Sequence, residues 1–315
     1  MPHQEGRAGG ACLPVTAMLE QLLTEQRNPA SAAIDTVSTE AALRIMNRED
    51  AKVAAAVERE IPAIARAVEA IRDALARGGR LFYIGAGTSG RLGVLDAAEI
   101  PPTFGAPPDL VTGIIAGGKP ALSGATEASE DDPAAGARDL AAHGFTARDV
   151  LVGLAASGRT PYVLGAVAEA GRLGAVTVGI SCTPDSELAR AAGIAITPLV
   201  GPEVIAGSTR LKAGTAQKMV LNMLSTAACI GLGYVYGNLM VNVQPKNAKL
   251  ADRARRIVAA AAEVSYQRAV ELLEASGGRV AVAIVMSRKG CARAEAERRL
   301  ADAGGRIAKA LAAEE

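Results

Sequence analysis

Five short apolar runs between Leu81 and Leu199 constrain this chain more than any other feature. They are Leu81 to Ile84, Val111 to Ala116, Val150 to Ala155, Ala175 to Ile180 and Ile194 to Leu199, with helical or loop segments between them. A strand that is apolar at consecutive positions is buried on both faces, and such strands separated by helices build a parallel sheet. The expected fold class is α/β, with helices flanking the sheet. Sheets of this kind bind ligands beyond the carboxyl ends of their strands, so the loops after these runs are where chemistry is to be sought.

The flanking regions read differently. Val57, Ile61, Ile64, Val68, Ile71 and Leu75 are spaced by four or three, which predicts one long amphipathic helix from Val53, kinked at Pro62 and ended by Gly78-Gly79. Met219 to Pro245 carries no formal charge and is long enough to cross a bilayer. Asn222, Ser225, Thr226, Asn238 and Asn242 interrupt it, and Gly231, Gly233 and Gly237 punctuate it into a buried helix, a turn and an extended segment. No membrane association is expected. Farther on, Leu273 to Ile284 (LEASGGRVAVAI) repeats as Leu300 to Leu311 (LADAGGRIAKAL), which predicts helical hairpins packed into a small bundle with a structural or dimer-supporting role. The expected organisation is a loose tail over 1–18, a ligand-binding domain with N-terminal helices over 19–247, and a helical domain over 248–315.

Two of the strand-to-helix loops share a tripeptide. The first run leads into Gly85-Ala86-Gly87-Thr88-Ser89-Gly90-Arg91 and the third into Ala155-Ala156-Ser157-Gly158-Arg159-Thr160. Small residues let backbone wrap an anion, while helix N-terminal amides, hydroxyls and guanidinium groups stabilise its charge. A phosphate ester suits both loops. Gly85-x-Gly87-x-x-Gly90 also matches the dinucleotide fingerprint, yet the next strand ends in Ala116-Gly117-Gly118-Lys119 where that fingerprint needs a ribose-binding acid. A third cluster, Gly207 to Lys212, is read as opening a helix with Ser208 as a possible cap; Arg210 and Lys212 at a helix start oppose its dipole unless an anion joins them.

Composition narrows the chemistry further. A net charge of +1, no tryptophan, five tyrosines and three phenylalanines leave little for nucleic acid to hold. Cys12, Cys182, Cys229 and Cys291 are dispersed, as expected of reduced thiols in a cytoplasmic protein, and Met1 to Pro14 has no apolar run of the signal-peptide kind. With only His3 and His143, a serine-histidine triad or a histidine-rich metal site is not expected, and proton transfer falls to carboxylates. Glu99 closes the helix after the first loop, just before Ile100-Pro101-Pro102, where the dipole's negative end favours a protonated, acidic role. Glu127, Glu130, Asp131 and Asp132 precede Pro133 and suit a helix start. Taken alone, Glu99 and Glu130 read as surface carboxylates, since most carboxylates are solvated.

The run from Gly201 to Lys218 (GPEVIAGSTRLKAGTAQK) resembles the signature shared by N-acetylmuramic acid 6-phosphate etherases and glucokinase regulatory proteins. Thr24-Glu25, Asn28, Ser31 and Ile34-Asp35, the loop Gly85 to Arg91 with Asp96 to Glu99, and Glu127 to Asp131 extend the likeness from about Leu19 to the C-terminal repeats. Asn242 and Lys246 depart from the etherase pattern, which has Asp and Thr there. The resemblance implies a sugar isomerase (SIS) domain with a five-stranded parallel sheet, a homodimer with sites near the subunit interface, and no cofactor. It implies syn elimination of D-lactate from C3 after loss of the C2 proton, then hydration to N-acetylglucosamine 6-phosphate, in recycling of cell-wall amino sugars. By the same likeness Glu99 and Glu130 are the catalytic pair, with Thr88, Ser89, Ser157, Thr160 and Lys212 as phosphosugar contacts. A phosphosugar isomerase would keep the loops but release no lactate, and a phosphosugar sensor would bind without turnover. The single set of loops and the retained glutamates favour the etherase.

Overall fold

The computed structural model describes residues 23–124, 129–243 and 248–313. Each of the five apolar runs forms a strand: β1 (Leu81–Gly85), β2 (Val111–Ile115), β3 (Val150–Leu154), β4 (Val176–Ile180) and β5 (Ile194–Ile196). They lie parallel in the order β2-β1-β3-β4-β5, with Gly85 level with Ile115 on one side and Leu154 on the other. β5 stops short of the apolar run that predicts it. The Thr197 amide donates to Glu60 Oε2 at 2.9 Å instead of extending the ladder, and Pro198 has no amide to offer.

Alternation along β1 divides the core between two faces. Leu81 and Tyr83 point toward α3 (Ile61–Ala76), α4 (Gly87–Phe104) and α8 (Lys212–Gly231), which meet Ile71, Ile100, Val220 and Leu224 there. Phe82 and Ile84 point the other way, onto α5 (Pro133–Ala142), α6 (Pro161–Arg172) and α7 (Glu187–Ala191) through Leu140, Val163 and Leu188. Ahead of this layer stands α1 (Thr39–Asp50). The apolar stripe from Val53 to Leu75 is carried by two helices rather than one, because α2 (Lys52–Glu58) ends before Arg59-Glu60 and α3 begins anew. Pro62 occupies the first turn of α3, where its missing N–H costs nothing, so it starts a helix and does not kink one.

The uncharged segment resolves as the sequence pattern implies: α8 is largely buried, and β6 (Val235–Tyr236) and β7 (Leu239–Met240) form a hairpin turning at Gly237, φ +59°. Among the described residues no helix is long and apolar enough to cross a membrane. Asn242 Nδ2 donates to the Phe104 carbonyl at 2.9 Å, fastening the hairpin strand to the end of α4; Lys246 lies outside the described residues.

The C-terminal region folds around its own core, with Ile257, Leu272, Ile284 and Leu300 contributed by α9 (Ala248–Ala262), α10 (Tyr266–Ala275), α11 (Val280–Lys289) and α12 (Arg293–Asp302), and Ile307 by α13 (Ile307–Ala312). The sequence repeat is also a structural one. Gly277-Gly278 and Gly304-Gly305 are all left-handed, and each pair is followed by an arginine, Arg279 or Arg306, at the N-cap of the next helix. The tail expected over 1–18 lies outside the described residues.

Candidate active site

Strand order places the crevice of the sheet. From β1 the chain moves to β2 on one side and then returns to β3 on the other, so the loops after β1 and β3 diverge at a switch point where α/β sheets bind ligands. Both Ser-Gly-Arg loops are there. The first is drawn tight: a Cβ on Gly90 would stand 2.6 Å from the Gly85 carbonyl oxygen, so only glycine lets α4 start this close to its strand. Helix α4 begins at Gly87, which puts Thr88 and Ser89 in its first turn, where unpaired amides and the helix dipole favour an anion. Thr88 is half-buried and Ser89 is 8% exposed.

The second loop has the same letters in another frame. Helix α6 starts only at Pro161, so Ser157, Gly158 and Arg159 form a turn before it, with Gly158 left-handed at φ +67°. Ser157 Oγ accepts from the Arg159 amide at 3.4 Å, and the Thr160 hydroxyl makes no capping bond at the N-cap it occupies. The two arginines do not share the anion role expected of them. Arg91 donates to the carbonyls of Leu122 at 3.2 Å and Gly124 at 2.6 Å, and Arg159 to Glu187 at 3.2 Å. The hydroxyls and helix-start amides therefore provide the polarity of the crevice.

Glu130 stands between the first loop and the start of α6. Its carbonyl accepts from the Tyr162 amide in the first turn of α6 at 3.1 Å, and its Oε1 lies 3.3 Å from where a Cβ on Gly87 would stand. The helix start expected at Pro133 is present, with Asp132 as N-cap accepting from Ala134 and Ala135; Glu127 lies outside the described residues. Glu99 is placed otherwise. Helix α4 runs through Pro101 and Pro102 to Phe104 and is capped by left-handed Gly105, so Glu99 sits more than a turn from the end and the helix-terminus argument for its acidity does not hold. It is exposed, and twelve residues of helix separate it from Gly87, about 18 Å along the axis.

The corner at the start of α8 corrects two further expectations. The helix begins at Lys212, and its cap is not Ser208: buried Glu203 accepts from the Lys212 amide at 3.0 Å and the Ala213 amide at 2.9 Å. Burial raises the Glu203 pKa despite those two amides. Lys212, only 1% exposed, donates from Nζ to Glu49 Oε2 at 2.8 Å, and Asn28 Nδ2 donates to the same oxygen at 2.9 Å. The anion that cations at this helix start require is thus supplied by the protein. Burial alone would raise the Glu49 carboxyl, but hydrogen bonds from Lys212, Lys52 and Asn28 outweigh it and hold it at about 2. Asn28 also donates to the Pro202 carbonyl and Ser31 to that of Val204, so the N-terminal motif clamps the Gly201–Lys218 run. Glu49 and Glu203 escape the sequence reading because nothing local distinguishes them from solvated carboxylates; the uncompensated cation at Lys212 is the signal that could have prompted a search.

Two of the cysteines lie in the core. Cys182 and Cys229 are buried, which pushes both thiols up to about 12. His143 is exposed, its Nδ1 2.7 Å from the Asp139 carbonyl.

The model for the glucokinase regulatory protein N-terminal SIS domain matches residues 63–170, and that for the SIS domain matches residues 129–227. The chain is 56% identical to the N-acetylmuramic acid 6-phosphate etherase of Edwardsiella ictaluri, over 93% of this chain and 98% of that protein. It is 58% identical to the Symbiobacterium thermophilum protein of the same name, over 85% and 89%, and 53% identical to that of Pasteurella multocida, over 93% and 97%.

Proposed function

Because the chain belongs to the N-acetylmuramic acid 6-phosphate etherase family, we propose that it cleaves the D-lactyl ether of that sugar phosphate in cell-wall amino-sugar recycling. The products are N-acetylglucosamine 6-phosphate and D-lactate. The 6-phosphate lies at the start of α4, held by helix amides and by Thr88, Ser89, Ser157 and Thr160. One carboxylate takes the C2 proton as the C3–O bond breaks and the other protonates the departing lactate oxygen; water then adds at C3 and a proton returns to C2. The observation that carries this reading is Glu130, whose backbone is tied to α6 and whose carboxylate lies against Gly87 of the other loop.

Glu99 acts from a second copy of the chain. Even fully extended toward the loop, its carboxylate stays on the order of 9 Å from that of Glu130 in the same subunit, given the helix rise. That separation is at the outer limit for two carboxylates that serve adjacent atoms of one sugar, and a Glu99 reaching in from a second copy relieves it. Leu95, 54% exposed one turn before Glu99, offers apolar surface for a homodimer contact beside it. We assign proton donation to lactate to Glu99 and C2 deprotonation to Glu130.

The test is D-lactate release from N-acetylmuramic acid 6-phosphate, with solvent deuterium expected at C2 and solvent oxygen at C3. Glu99→Gln and Glu130→Gln should each lose roughly a hundredfold or more in kcat, with C2 exchange surviving only in Glu99→Gln. Mixing the two inactive variants should restore about a quarter of wild-type activity, since half of the reassorted dimers carry one intact site of two. No recovery on mixing would place both glutamates in one subunit, and an isomerised sugar without lactate would overturn the reaction.

A further inference from the structure

Gln217 stands on α8 directly behind the first loop, and it is incompletely satisfied. Its side chain is fully buried, the Ser89 hydroxyl donates to its Oε1 at 2.8 Å, and among the described residues its Nε2 has no hydrogen-bond partner. An amide NH2 buried unpaired is destabilising, yet apolar side chains fill most neighbouring positions of this helix. The surroundings are those of a binding loop. One turn before Gln217, a Cβ on Gly214 would meet the Thr88 methyl at 3.5 Å, so α8 forms the back wall of the α4 first turn.

Direction matters in that hydrogen bond. While Ser89 gives its proton to Gln217 it presents only lone pairs to the crevice, which repel an anion. Half a turn of the amide reverses the chain: Nε2–H donates to Ser89 Oγ, and the Ser89 proton is released toward a phosphate oxygen. A hydroxyl that accepts from an amide is also a stronger donor. We propose that Gln217 is a positioning residue for phosphate recognition, its amide turning so that Ser89 donates to the phosphorylated ligand. This rests on the assignment of the first loop to the substrate phosphate.

Gln217→Met keeps the volume, removes the orphaned donor and removes the control over Ser89. The variant should bind N-acetylglucosamine 6-phosphate about tenfold more weakly by calorimetry, raise KM by a similar factor, leave kcat within about twofold, and unfold at the wild-type temperature or above it. Gln217→Glu, which as a carboxylate can only accept, should weaken the same ligand roughly a hundredfold while leaving unphosphorylated N-acetylglucosamine unaffected. In a Ser89→Ala background the Gln217→Met change should be silent, which separates coupling through Ser89 from a general packing defect. Wild-type affinity in Gln217→Met, or a full additional loss in the Ser89→Ala background, overturns the role of Gln217 while leaving the etherase reading intact. A wild-type protein that releases lactate yet is indifferent to the phosphate overturns this inference alone; one that neither binds the phosphosugar nor releases lactate overturns both.

Discussion

The crevice at β1 and β3 and the corner at Lys212 both read, from sequence and resemblance, as places where the protein meets the phosphosugar; folded, they differ in how completely they are satisfied. At the corner, Lys212, Glu49, Asn28 and Glu203 close on one another, and every charge has a buried partner. In the crevice, among the described residues, the Thr160 hydroxyl makes no capping bond, Ser89 turns its proton inward and the Gln217 Nε2 has no hydrogen-bond partner. A closed polar network holds a fold together, whereas an open one has capacity for a ligand. The contrast sets a Lys212 already paired within the fold against hydroxyls whose capacity is still open.

The strongest way to break this comparison is Lys212→Met. Removing one member of a buried pair leaves Glu49 with a desolvated charge, and such losses run to about 3–5 kcal/mol, here moderated by Lys52 and Asn28. The expected result is a large fall in the denaturant midpoint, with affinity for N-acetylglucosamine 6-phosphate unchanged in the fraction that remains folded. Normal stability combined with lost affinity would return Lys212 to the binding site.

Acid should weaken the corner before it weakens the crevice. Glu49 is held at about 2 in the fold, below the ordinary carboxylate value, so its contribution is complete above roughly pH 4.5 and is lost as pH falls from there toward 2. Glu203, raised by burial, acts with the opposite sign and gains stability on protonation. The net acid limb should therefore flatten in Glu49→Gln, measured as the change in unfolding midpoint between pH 7 and pH 3. An unchanged limb would mean that other carboxylates govern acid unfolding.

What the sequence discloses follows the range of the forces involved. All five strands were legible because burial on both faces leaves an unbroken apolar signature, and the paired glycines of the C-terminal repeat because left-handed backbone selects that residue. The break at Arg59-Glu60 was not, since the apolar stripe runs on across it, and neither was the passage of α4 through Pro101-Pro102, which local rules forbid and tertiary packing of Ile100 and Phe104 tolerates. The glutamate pair came from resemblance. The helix adds the spacing between them: Glu99 stands twelve positions along α4 from Gly87, the residue beside the Glu130 carboxylate.

A smaller effect sharpens the comparison inside the crevice. Ser89→Ala removes a hydroxyl that Gln217 holds in place, and it should cost about tenfold in affinity for the phosphosugar and about 1–3 kcal/mol in stability, because the buried Gln217 carbonyl loses its donor. Among the described residues Ser157 is bonded to a neighbouring amide at 3.4 Å, and Ser157→Ala should cost less, about threefold. Equal losses measured by calorimetry would show that the two loops share the phosphate evenly.

The smallest effect belongs to Arg159, and it decides whether the shared tripeptide carries a shared role. Arg159 and Glu187 are 27% and 47% exposed, and ion pairs of that kind contribute well under about 1 kcal/mol. Arg159→Gln should accordingly change KM less than about twofold and leave the unfolding midpoint almost unmoved. Arg91→Gln should do somewhat more. Its guanidinium holds the carbonyls of Leu122 and Gly124, shortly before Glu130 in the chain, so its loss should lower kcat a few-fold (about threefold) rather than raise KM. If Arg159→Gln instead raised KM tenfold, and did so more at low salt than at high, its guanidinium would have to leave Glu187 for the ligand, and the two Ser-Gly-Arg loops would then be equivalent after all.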